Sequence, residues 1–481
     1  MSYEPVIGLE IHVQLRTRTK MFCGCELSFG DDPNVHTCPI CLAHPGSLPV
    51  PNERAVQYGL QIALALECEV APRSIFHRKN YFYPDNPKAY QISQYDIPLA
   101  SGGRLGDVRI HRVHLEEDAA KLVHASASGR IHGSETSLVD FNRGGTPLVE
   151  IVTEPDLHDG AAAREWLQLL RTTIRQIGAS DVNMDEGSLR CDANISVRPA
   201  GMSELGTKTE LKNMNSFRFI ERGIAAEVER QTAILEAGGK VLQETLHFDP
   251  RSGALTSLRS KEEAHDYRYF PEPDLVPLAP TEQMLADARA ALPELPAGRR
   301  ERYSSELGLS DKPATQLAFD AELGAYFERC LEAAPDGLSP ATIANWVVGE
   351  LVAALRECGV DDADPTTSKV VPEALAKLVG MVAAKQVSTG AGRKILASLV
   401  VDGGDPAEIA ESEGLAAIED SGELASIVAA ALAADPDAAE NVRAGNTKAI
   451  GPLVGYVMRE TRGRADGGEV TKLIREQLGL G

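Results

Sequence analysis

A carboxylate stands in the middle of what otherwise reads as a buried β-strand. The run Leu148-Val-Glu-Ile-Val152 follows a turn built on Gly144-Gly145 and stiffened by Pro147. With a two-residue side-chain period, Leu148, Glu150 and Val152 share one face, and Val149 and Ile151 share the other. A charge in sheet core is costly unless a cation meets it. One partner that meets the requirement is an arginine such as Arg143. The other is a cation shared with further polar residues, and the same anomaly recurs along the chain.

Residues 5–15 alternate cleanly. Ile7, Leu9, Ile11, Val13 and Leu15 form an apolar face; Glu10, His12 and Gln14 form the other. Glu10 and His12 are same-side neighbours, roughly 6.5–7 Å apart along a strand, so a carboxylate and an imidazole can approach one cation. A solvated strand face gives the same pattern. Residues 108–118 run from a strand into Glu116-Glu117-Asp118, three acids that form a solvated turn or send one or two side chains to a shared cation. Residues 191–198 put Asp192, Asn194, Ser196 and Arg198 opposite Cys191, Ala193, Ile195 and Val197, and Lys208, Glu210 and Lys212 repeat the pattern. A sheet with so many charged strand faces is more naturally a polar cleft than an outer wall.

The most specific spacing is Cys23-Gly-Cys25, a twelve-residue loop, then Cys38-Pro-Ile-Cys41. Two close cysteine pairs across a loop can supply four thiolates to one tetrahedral Zn²⁺. Eight cysteines in 481 residues are too sparse for a disulfide scaffold. Residues 78–94 hold four aromatics, two prolines and two lysines, which suits a binding surface or a loop stapled by its own rings. Helices are expected over 52–66 behind an Asn52 cap, through Trp166, Leu170, Ile174 and Ile177, and over 217–237.

The length implies about three domains. No apolar run approaches the ~20 residues of a membrane span, and the Met-Ser-Tyr-Glu-Pro start lacks a signal-peptide pattern, so the expected compartment is the cytosol. The net charge of −22 argues against indiscriminate nucleic-acid binding. The charge is uneven, however. Residues 401–440 hold eleven acids and no Lys or Arg, whereas 441–481 hold seven Lys or Arg against four acids, including Arg459, Arg462 and Arg464. Past residue 290 the chain becomes rich in Ala and Glu with few strand signals, with helical spacing over 341–357 and 372–385 and a break at Gly403-Gly-Asp-Pro406. Phosphate-loop, dinucleotide and nucleophile-elbow motifs are absent. These observations predict an α+β chain: a mixed β-sheet, metal-binding domain over 1–292, an all-α domain over 293–404 and a small helical tail domain over 405–481.

The stretches Val6-Ile-Gly-Leu-Glu-Ile-His12, Asn80-Tyr-Phe-Tyr-Pro-Asp-Asn-Pro-Lys-Ala-Tyr90, 140–156, Glu186-Gly-Ser-Leu-Arg-Cys-Asp-Ala-Asn194 and Leu211-Lys-Asn-Met-Asn-Ser216, with the tail around Gly451–Tyr456, closely resemble the B subunits of glutamyl/aspartyl-tRNA amidotransferases. The resemblance implies a cradle-like catalytic domain in a heterotrimer with an amidase A subunit and a small C subunit. It implies ATP-dependent phosphorylation of the side-chain carboxylate on Glu-tRNA(Gln) or Asp-tRNA(Asn), then amidation by ammonia from the A subunit's glutamine hydrolysis. The family's magnesium ligands fall on Glu10, His12, Glu117 and Glu150, with Glu116 the adjacent alternative, and its ammonia route on Lys79, Lys88 and Asp192. The four cysteines carry the zinc site that some members have, and the tail is expected to contact tRNA. A non-catalytic tRNA-binding or scaffold protein of the same kind of complex is the competing reading; it has no need of converging carboxylates.

Overall fold

The computed structural model describes residues 2–28, 30–124, 134–260, 267–360, 364–416, 421–461 and 464–480. The chain divides into two compact units, Met1–Pro296 and Ala297–Gly481. The first carries strands β1 (Tyr3–Gln14), β2 (Glu69–Val70), β3 (His77–Asn80), β4 (Tyr90–Ser93), β5 (Ala100–Leu105), β6 (Val108–Glu117), β7 (Lys121–His124), β8 (Ser137–Asp140), β9 (Pro147–Thr153), β10 (Leu189–Pro199), β11 (Thr209–Met214), β12 (Glu244–Phe248), β13 (Leu255–Ser260) and β14 (Phe270–Pro271). Among the described residues, nine of these form one sheet in the order β13-β12-β11-β10-β1-β9-β6-β5-β2. Its pairs are antiparallel except β11 with β12, so the sheet is mixed, as the sequence predicts.

Alternation decides which face of this sheet is dry. Ile7, Leu9, Ile11 and Val13 of β1 and Cys191, Ala193, Ile195 and Val197 of β10 are all buried. Fully burying each Ile, Leu or Val side chain among them contributes about 1.5–3 kcal/mol. Helix α1 (Glu53–Ala65) lies against β5, β6 and β9, and α3 (Phe217–Glu236) against β10 and β11, while α2 (Gly160–Ile177) packs on both helices. The Asn52 side chain accepts from Arg54 and Ala55 at the start of α1, as an N-cap should. Gly59 lets α1 approach closely, because a Cβ there would lie 2.9 Å from Leu99 and 3.0 Å from Leu115. That contact puts Leu115 on the helix side of β6 and turns His114 and Glu116 to the opposite, polar side. Trp166, Leu170 and Ile174 are core, whereas Ile177 is half-buried.

The aromatic segment is a satellite sheet, β14-β3-β4. Arg78 clamps it, with two 2.7 Å bonds to the buried Glu272 and its guanidinium 4.2 Å from the Tyr90 ring centroid. Tyr95 and Tyr269 stack with centroids 4.3 Å apart. Phe82 and Tyr83 remain exposed.

Among the described residues the second unit is helical and holds two separate cores. Tyr303, Phe327, Trp346, Leu375 and Leu396 lie in the first; Val428, Leu453, Val457, Val470 and Ile474 lie in the second. The helical stretch expected at 341–357 contains a π-helical segment, Trp346–Leu351. The break at Gly403 ends a helix with φ +74, yet Ala410 and Leu415 beyond it still belong to the first core, and the second begins at Leu424. Among the described residues no helix is long and apolar enough to cross a membrane.

Candidate metal centres

The register of three central strands builds the first centre. His12 of β1 stands opposite Glu150 of β9, and Glu150 stands opposite His114 of β6. Residues directly opposite in a sheet share a face with Cβ atoms about 4.5–5.5 Å apart, so the three side chains form one row on the polar side. His12 Nε2 and His114 Nε2 each lie 3.3 Å from Glu150 Oε2. Glu116, two residues along β6, joins them at 3.5 Å from His12 Nε2. Arg112 is 3.6 Å from the other Glu150 oxygen. The simple pairing of Glu150 with Arg143 does not occur, because Arg143 turns to the Ala119 and Ala120 carbonyls and to Asp118.

Glu116 and Glu150 are only 2% and 3% exposed, so their charge is almost wholly desolvated. Burial opposes ionisation of Glu150, but His114 and His12 outweigh it and hold the carboxyl well below its usual range. Glu116 is lowered in the same way, its bond to His114 overcoming burial. Glu10 goes the other way, pushed up by burial and by repulsion from Glu150. Burial disfavours the charged form of His114, yet Glu150 and Glu116 raise it to about 9. These carboxylates attract positive charge strongly.

The donor set fits a hard divalent cation. One ligand atom each of Glu10, His12 and Glu150 lies within 4.8 Å of the others, and His114, Glu116 and Glu150 form a second such triplet. A Mg²⁺ with ligands at about 2.1 Å needs ligand-to-ligand distances of about 3–4 Å and keeps several waters.

The three consecutive acids go three ways. Glu116 enters the row just described. Glu117 turns away from it, accepts from the Lys88 ammonium and from Ile92 N at 3.0 Å, and is not among the side chains that meet there. Asp118 is buried against Arg190 at 2.9 Å and Gln14 at 3.1 Å. The physical reason is alternation: residue 116 shares the face of 114, and residue 117 cannot. Of the adjacent pair of glutamates, Glu116 is the one aimed at His12 and Glu150. His114 escaped the sequence reading, although its two-residue spacing from Glu116 was a usable signal.

Lys79, Lys88 and Asp192 occupy three different positions. Lys79 is half-buried with Nζ 4.9 Å from the Tyr267 ring centroid. Burial works against its charge, but Glu116, Tyr269 and Glu150 raise its pKa. Lys88 serves Glu117. Asp192, opposite Glu10 on β10, is bonded to Lys212 Nζ at 2.5 Å, which also lies 2.8 Å from Glu210. The polar face thus carries mixed charge from Glu116 to Lys212.

The second centre is the cysteine knuckle. The sulfurs of Cys23, Cys25, Cys38 and Cys41 all lie within 4.8 Å of one another, with Cys41 Sγ 3.9 Å from Cys38 Sγ and 4.0 Å from Cys25 Sγ. Four thiolates at about 2.3 Å from a tetrahedral Zn²⁺ stand about 3.8 Å apart, so the set fits that ion. The Cys41 thiol is brought down to about 4 by its bond to Cys23, with Lys20 adding to the effect against burial. In the tail, Arg459 is exposed and Arg464 donates to the Thr461 carbonyl at 3.2 Å. Arg462 lies outside the described residues.

Comparison with known proteins places the chain. Residues 5–286 match the family described as the GatB/GatE catalytic domain, and residues 325–478 match that described as the GatB domain. The B subunit of the aspartyl/glutamyl-tRNA(Asn/Gln) amidotransferase of Persephonella marina is 46% identical over 486 residues, covering 99% of this chain and 100% of that one. Its counterparts of the same name from Carboxydothermus hydrogenoformans and Frankia casuarinae are each 47% identical, over 485 and 492 residues, covering 99% of this chain and 99% and 96% of theirs. By length and identity of match, the chain belongs to the family of B subunits of the tRNA-dependent aspartyl/glutamyl amidotransferases.

Proposed function

We propose that the polar face of the sheet is the centre where the side-chain carboxylate of Glu-tRNA(Gln) or Asp-tRNA(Asn) is phosphorylated from ATP and then amidated. The observation that carries this reading is the meeting of half-buried Glu10 and His12 with buried Glu116 and Glu150 on one sheet face, a set that a scaffold does not require. In the first step a carboxylate oxygen of the substrate attacks the γ-phosphorus and ADP leaves, giving an acyl phosphate. In the second, ammonia attacks the acyl carbon and inorganic phosphate leaves, giving the amide. Glu10, His12, Glu116 and Glu150 would hold Mg²⁺, which offsets phosphate charge when bound. Glu116 takes the place first given to Glu117.

The protein's own cations and acids have further work. Lys79, beside the carboxylate row, is suited to a phosphate oxygen. The acids Glu10, Asp192 and Glu210 around Lys212, with the Lys88–Glu117 pair, offer polar stations for ammonia, which must be unprotonated when it attacks. That ammonia would come from glutamine hydrolysis on an amidase A subunit, with a small C subunit completing the complex. The cysteine set would hold a structural zinc, and the tail beyond Leu424 would contact tRNA.

The test is the reconstituted three-component complex with each misacylated tRNA, scored for ADP and amidated product. Glu150→Ala should lower ADP formation by about a hundredfold or more while the partner's glutaminase activity stays measurable. Undiminished ADP formation by that variant would remove the kinase reading.

A further inference from the structure

Lys20 is a lysine with almost no contact with water: it is 1% exposed. It enters the knuckle directly, its N–H donating to the Cys25 carbonyl at 3.0 Å and its own carbonyl accepting from Asn52 at 3.3 Å. The side chain then runs beneath Gly145, whose φ of +89 favours glycine and where a Cβ would come within 3.4 Å of Lys20 Cδ. Its ammonium ends 3.7 Å from Cys41 Sγ and donates to the Phe141 carbonyl at 2.9 Å. Among the described residues no carboxylate pairs with it. One sulfur at 3.7 Å and one carbonyl are thin compensation for a buried ammonium.

The knuckle supplies a fuller and fixed counter-charge when it is loaded. Four thiolates around Zn²⁺ carry a net charge of −2, concentrated on the sulfurs, and Lys20 points at one of them. The other bond reaches the turn before β9. There Gly144 N–H donates to the Phe141 carbonyl at 3.1 Å, Gly145 N–H to the Asp118 carbonyl at 2.8 Å and Thr146 N–H to the Arg143 carbonyl at 2.9 Å. Met21 N–H closes the clasp on the Gly145 carbonyl at 2.7 Å. One pair of residues therefore ties the knuckle to the segment that delivers Glu150.

We propose that Lys20 is the counter-charge of the four-thiolate zinc centre and the clasp through which zinc loading orders the turn from Phe141 to Thr146. The inference rests on the zinc reading above and adds to it a positioning residue and a direction of coupling. Loss of zinc, or oxidation of the thiolates, frees the sulfurs from their fixed positions and lowers the negative charge facing the buried cation, so the ammonium is held less firmly. Its bond to the Phe141 carbonyl loosens with it.

The experiment is zinc analysis and amide hydrogen exchange on the full-length protein in its complex, with Lys20→Met and Lys20→Arg alongside the wild type. In the wild type, removing zinc with a chelator should speed exchange in peptides covering 141–147. Lys20→Met should release zinc to the chelator roughly tenfold faster or more and show fast exchange at 141–147 even when loaded, and Lys20→Arg, which keeps the charge, should recover part of both. If the wild type binds zinc yet its turn exchanges alike in both states, the inference falls and the zinc site stands. If the wild type binds no zinc, both fall. Wild-type release from Lys20→Met also overturns it, and the wild-type comparison decides the matter should that variant fail to fold.

Discussion

The Nε2 atoms of His12 and His114 lie equally far, 3.3 Å, from one oxygen of Glu150. The two imidazoles come from strands on either side of β9, so the carboxylate is held from both flanks. His114 is the more buried, and its Nε2 is also 3.7 Å from Glu116. Replacing His114 with Leu should raise the Mg²⁺ concentration needed for half-maximal ADP formation by about ten- to a hundredfold, the scale seen when partners of metal ligands are lost. Titrating Mg²⁺ at saturating ATP measures it.

Glu116 and Glu117 are adjacent and should behave differently. Glu116→Gln removes a carboxylate from the row and should raise the Mg²⁺ requirement by about tenfold or more. Glu117→Gln leaves the row intact and disturbs the bond to Lys88. Its Mg²⁺ requirement should stay at the wild-type value, with any loss appearing in amidation rather than in ADP formation. Equal Mg²⁺ shifts in the two variants would contradict the geometry.

Asp118 predicts a pH dependence of stability. Burial opposes its charge, but Arg190, Arg143 and Gln14 hold its pKa below the ordinary 3.8. A folded pKa below the unfolded one means that the stabilisation is complete above about pH 5 and fades as pH falls through 3.8 toward the folded value. Asp118→Asn should cost about 1–3 kcal/mol at neutral pH, discounted from a fully buried pair because both arginines are over a third exposed. In urea titrations the gap between variant and wild type should close as the solution is acidified.

The knuckle should bind close to one zinc per chain, and Cys38→Ser should lose it. Because metal binding there contributes to folding, the variant should unfold more easily in its N-terminal segment while the helical unit is unaffected. Metal analysis with limited proteolysis reads both effects. Wild-type zinc content in the variant would rule the four-cysteine site out.

The tail should be removable at the boundary between the two helical cores. Deleting 421–481 should raise KM for aminoacyl-tRNA strongly, with ATP and free-ammonia dependence nearly unchanged, and the lost affinity should be salt-sensitive. Cutting at Asp405 instead strips Ala410 and Leu415 from the first core and should also lower the stability of the helical unit. Unaltered tRNA binding by the shorter chain at moderate salt would show that the tail is not a tRNA module.

Local pattern in the sequence determined more of this protein than its length would lead one to expect. Two-residue alternation was enough to separate the polar from the apolar sides of β1 and β10, and paired spacing was enough to group Cys23, Cys25, Cys38 and Cys41. Motif resemblance led to the family. Alternation within one strand, however, carries no information about its neighbours. Whether Glu116 or Glu117 met Glu150 depended on the register of β6 against β9, and the pairing of His12, Glu150 and His114 in one row depended on three strands distant in the chain. The same holds for Lys20, an ordinary lysine by sequence, whose burial follows from the Gly145 turn folding over it. Contacts between residues from some thirty to more than a hundred positions apart are set by how sheets and turns pack, and only the tertiary structure decided them.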